Sequence, residues 1–361
     1  MIRFAWLQAR TQTAVAVAAL AAAAILAAVT GPGLLHFYDT AVATCGSRND
    51  CASVTTTFLS SYRLMQVALP PVLLVAPALI GAFWGAPLVA RELETGTFRL
   101  ALTQSVTRQR WLTVKLVLIG LASMAVTGLL SLILTWWFSP IDQVQLNRLT
   151  PAMFGVRGVA PIGYAAFAFA LGVTAGVLIR RTIPAMAATI VAFTGARLAF
   201  TYWVRPYLIA PLRVTSALVL PAGNGPGSSP AAAAIKPGGW VLSDTVINGA
   251  GRVIGQNGGI GPNGDIGIQV SHGRPILAGV GACPNKFPTL GGGLRDSGAQ
   301  PPAAFNAAVQ ECINRLGIRE VVTYQPLSRY WALQWYETLI FAGFAVALAG
   351  VCLWRVRRSL T

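Results

Sequence analysis

Six apolar runs govern what this chain can fold into. They fall at about 13–30, 65–89, 113–138, 160–179, 183–203 and 333–354. A helix crossing the hydrocarbon core needs about 20 apolar residues. In lipid each backbone polar group must be satisfied within the protein, and a helix does this unaided. Only 11% of the 361 residues are charged and 55% are hydrophobic, against about 25% charged in soluble domains. The formal net charge of +16 suits either nucleic acid or a membrane face. Hydropathy decides for the membrane, and no nucleic acid is expected as a partner. The first run follows Arg3 and Arg10 as a secretory leader would. Its core, Ala14 to Val29, is long for a leader, and Thr30-Gly31-Pro32 offers no Ala-x-Ala cleavage site. An uncleaved span is expected. The predicted fold class is an α-helical polytopic membrane protein with six transmembrane helices.

Charge sets the orientation. With the N-terminus in the cytosol, the inner segments hold Arg3, Arg10, Arg91, Arg99, Arg108, Arg110, Lys115, Arg180, Arg181, Arg355, Arg357 and Arg358. The two short outer loops hold only Arg48, Arg63, Arg148 and Arg157. Basic residues mark the cytosolic side, counted over short loops, so both termini are expected inside. Cysteines agree with that arrangement. Cys45 and Cys51 share the first outer loop, Cys283 and Cys312 share the long outer segment, and Cys352 lies alone in the last span. An oxidising compartment favours two disulfides; the rival is a metal site drawing on His36 or His272, without Cys-x-x-Cys spacing.

The runs divide the chain into residues 1–203, with five spans and a cytosolic loop at 90–112; an extracytoplasmic mixed domain at 204–332; and residues 333–361, the last span with a basic tail. Arg180-Arg181-Thr182 followed by Pro184 makes spans four and five a hairpin. Span two carries Pro70, Pro71, Pro77 and Pro87, each removing a backbone donor. Pro77 therefore marks either a fixed kink or a mobile point on a translocation path. Arg197, inside span five, lies less than two turns from Trp203. It either snorkels to the interface or lines that path. In the long segment, Gly239 to Leu242 and Gly267 to Val270 read as short strand-like runs, and 303–316 reads as a helix with Phe305, Val309, Cys312 and Ile313 on one face. Tyr330, Trp331, Trp335 and Tyr336 read as an interfacial belt.

Catalytic signatures are missing from the sequence. It contains no Gly-x-x-x-x-Gly-Lys-Ser/Thr phosphate loop and no Gly-x-Ser-x-Gly elbow. Glu92 and Glu94, two apart, do not share a helical face, which argues against an acid/base pair. The six runs hold no acidic residue in their interiors, Glu337 lying near an end, so ion-driven transport is disfavoured.

The most informative stretch is 84–115. Its Arg91-Glu92-Leu93-Glu94-Thr95-Gly96-Thr97-Phe98-Arg99 holds charge, glycine and threonine beside apolar residues. By chemistry alone it is either a capped, solvated turn or a docking segment. Arg91-Glu92-x-Glu94-x-Gly96-Thr97, followed by Thr103-Gln104-Ser105-Val106, Arg108, Arg110, Trp111 and Lys115, resembles the loop between spans two and three of type-2 ABC exporter permeases, especially bacterial ones. The resemblance extends to the six spans with both ends inside. It also covers Tyr324-Gln325-Pro326, Arg329-Tyr330-Trp331, Gln334-Trp335 and Glu337, but not the middle of the outer domain, about 220–300. It implies a permease subunit of the bacterial plasma membrane that moves an amphipathic or hydrophobic substrate outward. Arg91, Glu92, Glu94, Gly96, Thr97 and Arg99 would then contact a separate ATPase subunit, and a second permease copy, identical or not, would complete the pore. ATP and magnesium would sit on the partner, with no cofactor on this chain. The rival reading is a membrane-anchored module whose outer domain binds or senses without transport.

Overall fold

The computed structural model describes residues 2–45, 51–94, 108–145, 148–219, 235, 238–256, 268–271, 274–277, 281–282 and 303–359. These divide into a helical unit, Met1–Ile209 with Tyr330–Thr361, and a second unit, Ala210–Arg329. The sequence expectation for the second unit was 204–332.

The helical unit holds α1 (Ile2–Phe37), α2 (Cys51–Ser61), α3 (Arg63–Ile80), α4 (Ala86–Glu94), α5 (Arg108–Gln145), α6 (Pro151–Phe154), α7 (Ala160–Ile179), α8 (Thr182–Ala199) and α10 (Tyr330–Ser359). Six segments are long and apolar enough to cross a membrane: Thr13–Val42, Arg63–Glu92, Thr113–Gln145, Ala160–Ile179, Thr182–Tyr207 and Leu327–Arg357. Most run past the end of their apolar run, because the helical ladder continues into polar residues that pack against neighbours. The clearest extensions take span one from about 30 to Val42, span three from about 138 to Gln145 and span five from about 203 to Tyr207.

α7 is the axis of the bundle. Within its apolar window 67% is buried inside the protein, against 17–39% for the other spans. Its glycines allow span two to approach closely. A Cβ at Gly172 would collide with the Gly81 carbonyl, and one at Gly176 would lie 2.6 Å from the Ala86 carbonyl. Across the contact, a Cβ at Gly85 would lie 2.6 Å from the Phe169 carbonyl. Lipid gives helices no hydrophobic reason to associate, so membrane interfaces use small residues that bring backbones together.

Span two is continuous from α3 to α4 through a π turn at Gly81–Gly85. Pro87 cannot donate to the ladder, and the wide turn lies immediately before it, as expected where a helix changes its hydrogen-bond register. Similar π turns end the helical run of α1 at Tyr38–Val42 and extend α8 at Phe200–Val204. α1, α2 and α5 share an aromatic cluster of Phe58, Trp137 and Phe138 with Leu34 and Ile141. Trp137 Nε1 donates to Thr30 Oγ1 at 2.8 Å. Cys45 and Cys51 form the expected disulfide, with Cα atoms 5.5 Å apart.

The second unit holds β1 (Leu212–Ala217), β2 (Trp240–Ile247), β3 (Val253–Gln256), β4 (Ile268–Ser271), β5 (Arg274–Leu277), β6 (Gly281–Ala282), α9 (Ala303–Arg315) and β7 (Arg319–Gln325). One sheet is ordered β1-β7-β2-β3 and the other β4-β5-β6, with every pairing antiparallel. β7 is the central strand of the larger sheet, with Val322 opposite Val214 on one side and Asp244 on the other. Ile313 and Cys312 of α9, Val246 and Val322 are buried, and Gln310 Nε2 donates to the Leu218 carbonyl at 2.7 Å. Cys312 is disulfide-bonded, while Cys283 and the side chains of Phe305 and Val309 lie outside the described residues.

Candidate functional site

Two polar regions stand out in the helical unit, one at each end of the bundle. The first lies where α4 ends, at the start of the segment that the sequence marks for docking. Its residues Gly96, Thr97 and Arg99 lie outside the described residues, but its anchor is described. Glu92 faces inward and is buried, and Lys115 of α5 donates to its Oε1 at 2.5 Å. Glu92 is thus an internal strut between spans two and three rather than a contact surface. Arg91 and Glu94 are exposed. Glu94 accepts from Thr182 Oγ1 at 2.7 Å and from the Thr182 backbone N–H at 3.2 Å. Thr182 opens α8, whose N-cap residue Arg181 makes no side-chain cap. A carboxylate supplied by α4 therefore takes the orphan donors at that helix start, where the dipole also favours negative charge. These hydrogen bonds, Thr182 Oγ1 first, hold the Glu94 carboxyl below the usual carboxylate range, with Arg181 adding to the effect. The two acids serve different neighbours, as their spacing of two requires.

α7 ends at the same side in Arg180, at φ 57°, the left-handed region. Glycine is the usual residue there; arginine accepts the strain and places a cation at a helix C-terminus, where it is favoured.

The second region is buried at the opposite end. Arg205 and Glu337 form an ion pair with side chains 0% exposed. Arg205 Nε donates to Glu337 Oε2 at 2.7 Å and its Nη2 donates to Oε1 at 2.8 Å. Tyr164 O–H donates to Glu337 Oε1, and Arg205 Nη2 reaches Tyr164 Oη at 3.2 Å and Thr201 Oγ1 at 3.3 Å. The Arg205 guanidinium lies 4.3 Å over the Phe154 ring. Arg197 is also buried rather than reaching outward to solvent. Its guanidinium lies 4.0 Å over the Tyr164 ring, and Nη2 donates to the Gly155 carbonyl at 3.3 Å. Gly155 leaves room for Arg197, since a Cβ there would meet Nη2 and the guanidinium would have to shift; Leu74 Cδ2 would be 3.3 Å from it. Leu74 sits one turn before Pro77, itself buried within α3.

The segment between spans three and four is folded into this end and held by side chains. Gln334 Nε2 donates to the carbonyls of Phe154 at 2.9 Å and Arg157 at 3.1 Å, and its Oε1 accepts from the Ala160 N–H at 2.7 Å. Ser131 Oγ donates to the Gly158 carbonyl at 2.7 Å. Arg157 pairs with Asp142 at 2.6 Å, both buried, and Arg148 reaches the same carboxylate at 2.9 Å. Buried non-helical backbone of this kind is tolerated where protein satisfies its polar groups.

The acidic residues Asp142 and Glu337 therefore lie inside spans, contrary to the expectation of acid-free interiors. Both are bonded to arginines. Tyr330, expected in the interfacial belt, is buried edge-on against Phe154, whereas Trp331, Trp335 and Tyr336 are exposed. Sequence reading missed Arg205, Tyr164 and Asp142, and named Gln334 and Glu337 only for their resemblance, without a role. One signal was present: Arg197, Thr201 and Arg205 recur every four residues, a polar stripe on one helix face.

Six apolar helices packed around a glycine-lined axis, with arginines and carboxylates paired in the interior, define a multi-pass membrane protein of the transporter kind. Residues 17–205, just over half of the chain, match the family model described as ABC-2 membrane transporter related, and the chain belongs to that family. No curated protein and no solved structure matches it.

Proposed function

We propose that this chain is the permease subunit of an ATP-driven exporter, with ATP and magnesium bound by a separate ATPase subunit and a second permease copy completing the pore. The observation that carries the reading is the family match, which spans the helices on either side of residues 95–107. The reading is supported by what that segment is attached to. Glu92 ties the end of span two to span three, and Glu94 ties it to the start of span five. A push on the segment from an ATPase cleft would move three spans together against the glycine contact with α7. The proposed orientation places the Glu94 end in the cytosol of a bacterial cell and the sheet unit outside. The Cys45–Cys51 disulfide supports this, since disulfides persist on the oxidising side.

The test is co-purification. The tagged chain is solubilised from its native membrane and assayed for ATP hydrolysis, alone and as Arg91→Glu with Glu94→Lys. Glu92 is left intact because reversing its charge would repel buried Lys115 and confound docking with folding. A separate ATPase that accompanies the native chain and is lost or uncoupled in the variant supports the reading. A native chain that comes down alone, with no ATP hydrolysis, removes it and returns attention to the sheet unit as a binding module.

A further inference from the structure

Charge in the buried cluster at the end away from Glu94 does not balance among the described residues. Glu337 is taken up by Arg205 through two bonds, and Asp142 is taken up by Arg157 and Arg148. Arg197 has a ring face and one backbone carbonyl, and no carboxylate among the described residues bonds it. Its Nη1 is buried without a hydrogen-bond partner, and so is Nη1 of Arg205. The two guanidinium groups flank one residue, Tyr164: Arg197 over its ring and Arg205 at its hydroxyl. A cation enclosed in a membrane span is costly without an opposing charge, and buried donors without acceptors add to that cost. Guanidinium donors suit carboxylate and phosphate groups.

Beside the arginines lies an aromatic core. The Tyr164 ring meets Phe341 at 5.0 Å, and Phe341 meets Phe200 at 5.0 Å and Phe167 at 5.3 Å. Cationic donors at one edge and an apolar, aromatic body next to them form two halves of a site for a molecule with an anionic head and an apolar tail.

We propose that Arg197, with Arg205 and Tyr164, binds the anionic head, phosphate or carboxylate, of an amphipathic ligand within the helical bundle. As a statement about transported substrate this rests on the permease reading; as a statement about binding it stands alone. The Phe154–Gly158 segment, held by Gln334 and Ser131, closes over Arg197 in the form described here, and its displacement would open the site.

The experiment uses the full chain in nanodiscs of phosphatidylcholine, without an ATPase, so that its failure leaves the co-purification result untouched. Dodecyl phosphate is titrated, with intrinsic tryptophan fluorescence and the thermal midpoint as readouts. Dodecyltrimethylammonium and inorganic phosphate are the comparison probes. Saturable binding of dodecyl phosphate, weakened about ten-fold or more in Arg197→Gln and largely restored in Arg197→Lys, is expected for a charge-assisted contact. Nanodiscs containing phosphatidylglycerol separate two sources of the head group. Competition there identifies a bilayer lipid as the occupant, and its absence identifies a free amphiphile. Equal binding of the cationic detergent, or undiminished binding in folded Arg197→Gln, overturns the proposal. Should Arg197→Gln fail to fold, the anion-against-cation comparison on the native chain decides alone.

Discussion

At one end of the bundle Glu337 and Arg205 are sealed from solvent, cross-bonded to Tyr164 and backed by the Gln334 bonds to the 154–160 segment. At the other, Glu94 lies exposed and accepts from Thr182 at the start of α8, beside the buried pair of Glu92 with Lys115. The first arrangement has several bonds per charge and no access for water, so it changes all at once or not at all. The second includes a bond in contact with solvent, so it can be rearranged by a docking partner. A transporter subunit needs both: a joint that yields to an outside push and a joint that switches between discrete arrangements.

That contrast can be broken by experiment. Removing Glu337 should have the largest effect. Glu337→Ala strands a buried arginine, at a cost of about 3–5 kcal/mol, and Arg205→Met with Glu337→Leu should return most of it. Thermal unfolding of the detergent-solubilised chain measures both. Glu92→Ala strands Lys115, whose partner carboxylate is slightly accessible, and should cost about 3 kcal/mol, the low end for a broken buried pair. Gly172→Ala forces the α7 backbone away from Gly81 and should cost about 1–3 kcal/mol by overpacking; it should also weaken coupling between spans two and four. Glu94→Gln should leave the thermal midpoint close to native while reducing ATP-dependent transport. If Glu94→Gln unfolds the chain as readily as Glu337→Ala, the two ends are alike and the comparison fails.

Acid sharpens the same contrast. The Glu94 carboxyl is held below its ordinary value by the Thr182 bonds. The stabilisation it supplies is present above the unfolded-state value and is lost as pH falls through the lowered native one. Coupling in the native chain should therefore weaken toward acid pH, and Glu94→Gln should remove that part of the dependence.

The spans were legible because each is an apolar run of bilayer length, a signal that does not depend on any partner. Their ends were not. Run-based reading stops at the first polar residue, so Arg205 was assigned to the outer domain and Asp142 to a loop, although the helices carry both. Whether a polar residue at a span end is wet or buried depends on which helix faces it, and Tyr164, Gln334 and Glu337 are distant in sequence from Arg205 and Arg157. Arg197 illustrates the limit: its place in span five was plain, but Gly155 and Tyr164, which decide its burial, lie on another segment. In the sheet unit, Trp240 to Leu242 and the helix near 303–316 were readable from local pattern. β7, the central strand, was not read from the sequence, because its buried positions include the polar Glu320 and Gln325 beside Val322 and Tyr324, so Arg319–Gln325 shows no plain apolar alternation.

The π turn at Gly81–Gly85 has a consequence for changes in chain length. It places one residue more than an α-helical turn holds between the prolines of α3 and the acids of α4. Deleting one residue there would let the wide turn close to an α-helical one, so Glu92 would still face Lys115 and Glu94 would still face Thr182. Deleting one residue from the regular helix between Ala86 and Arg91 would instead rotate both acids by about 100°, the angle per residue of an α-helix. The effect of a change in the length of span two therefore depends on where it falls, with the π turn as the tolerant place.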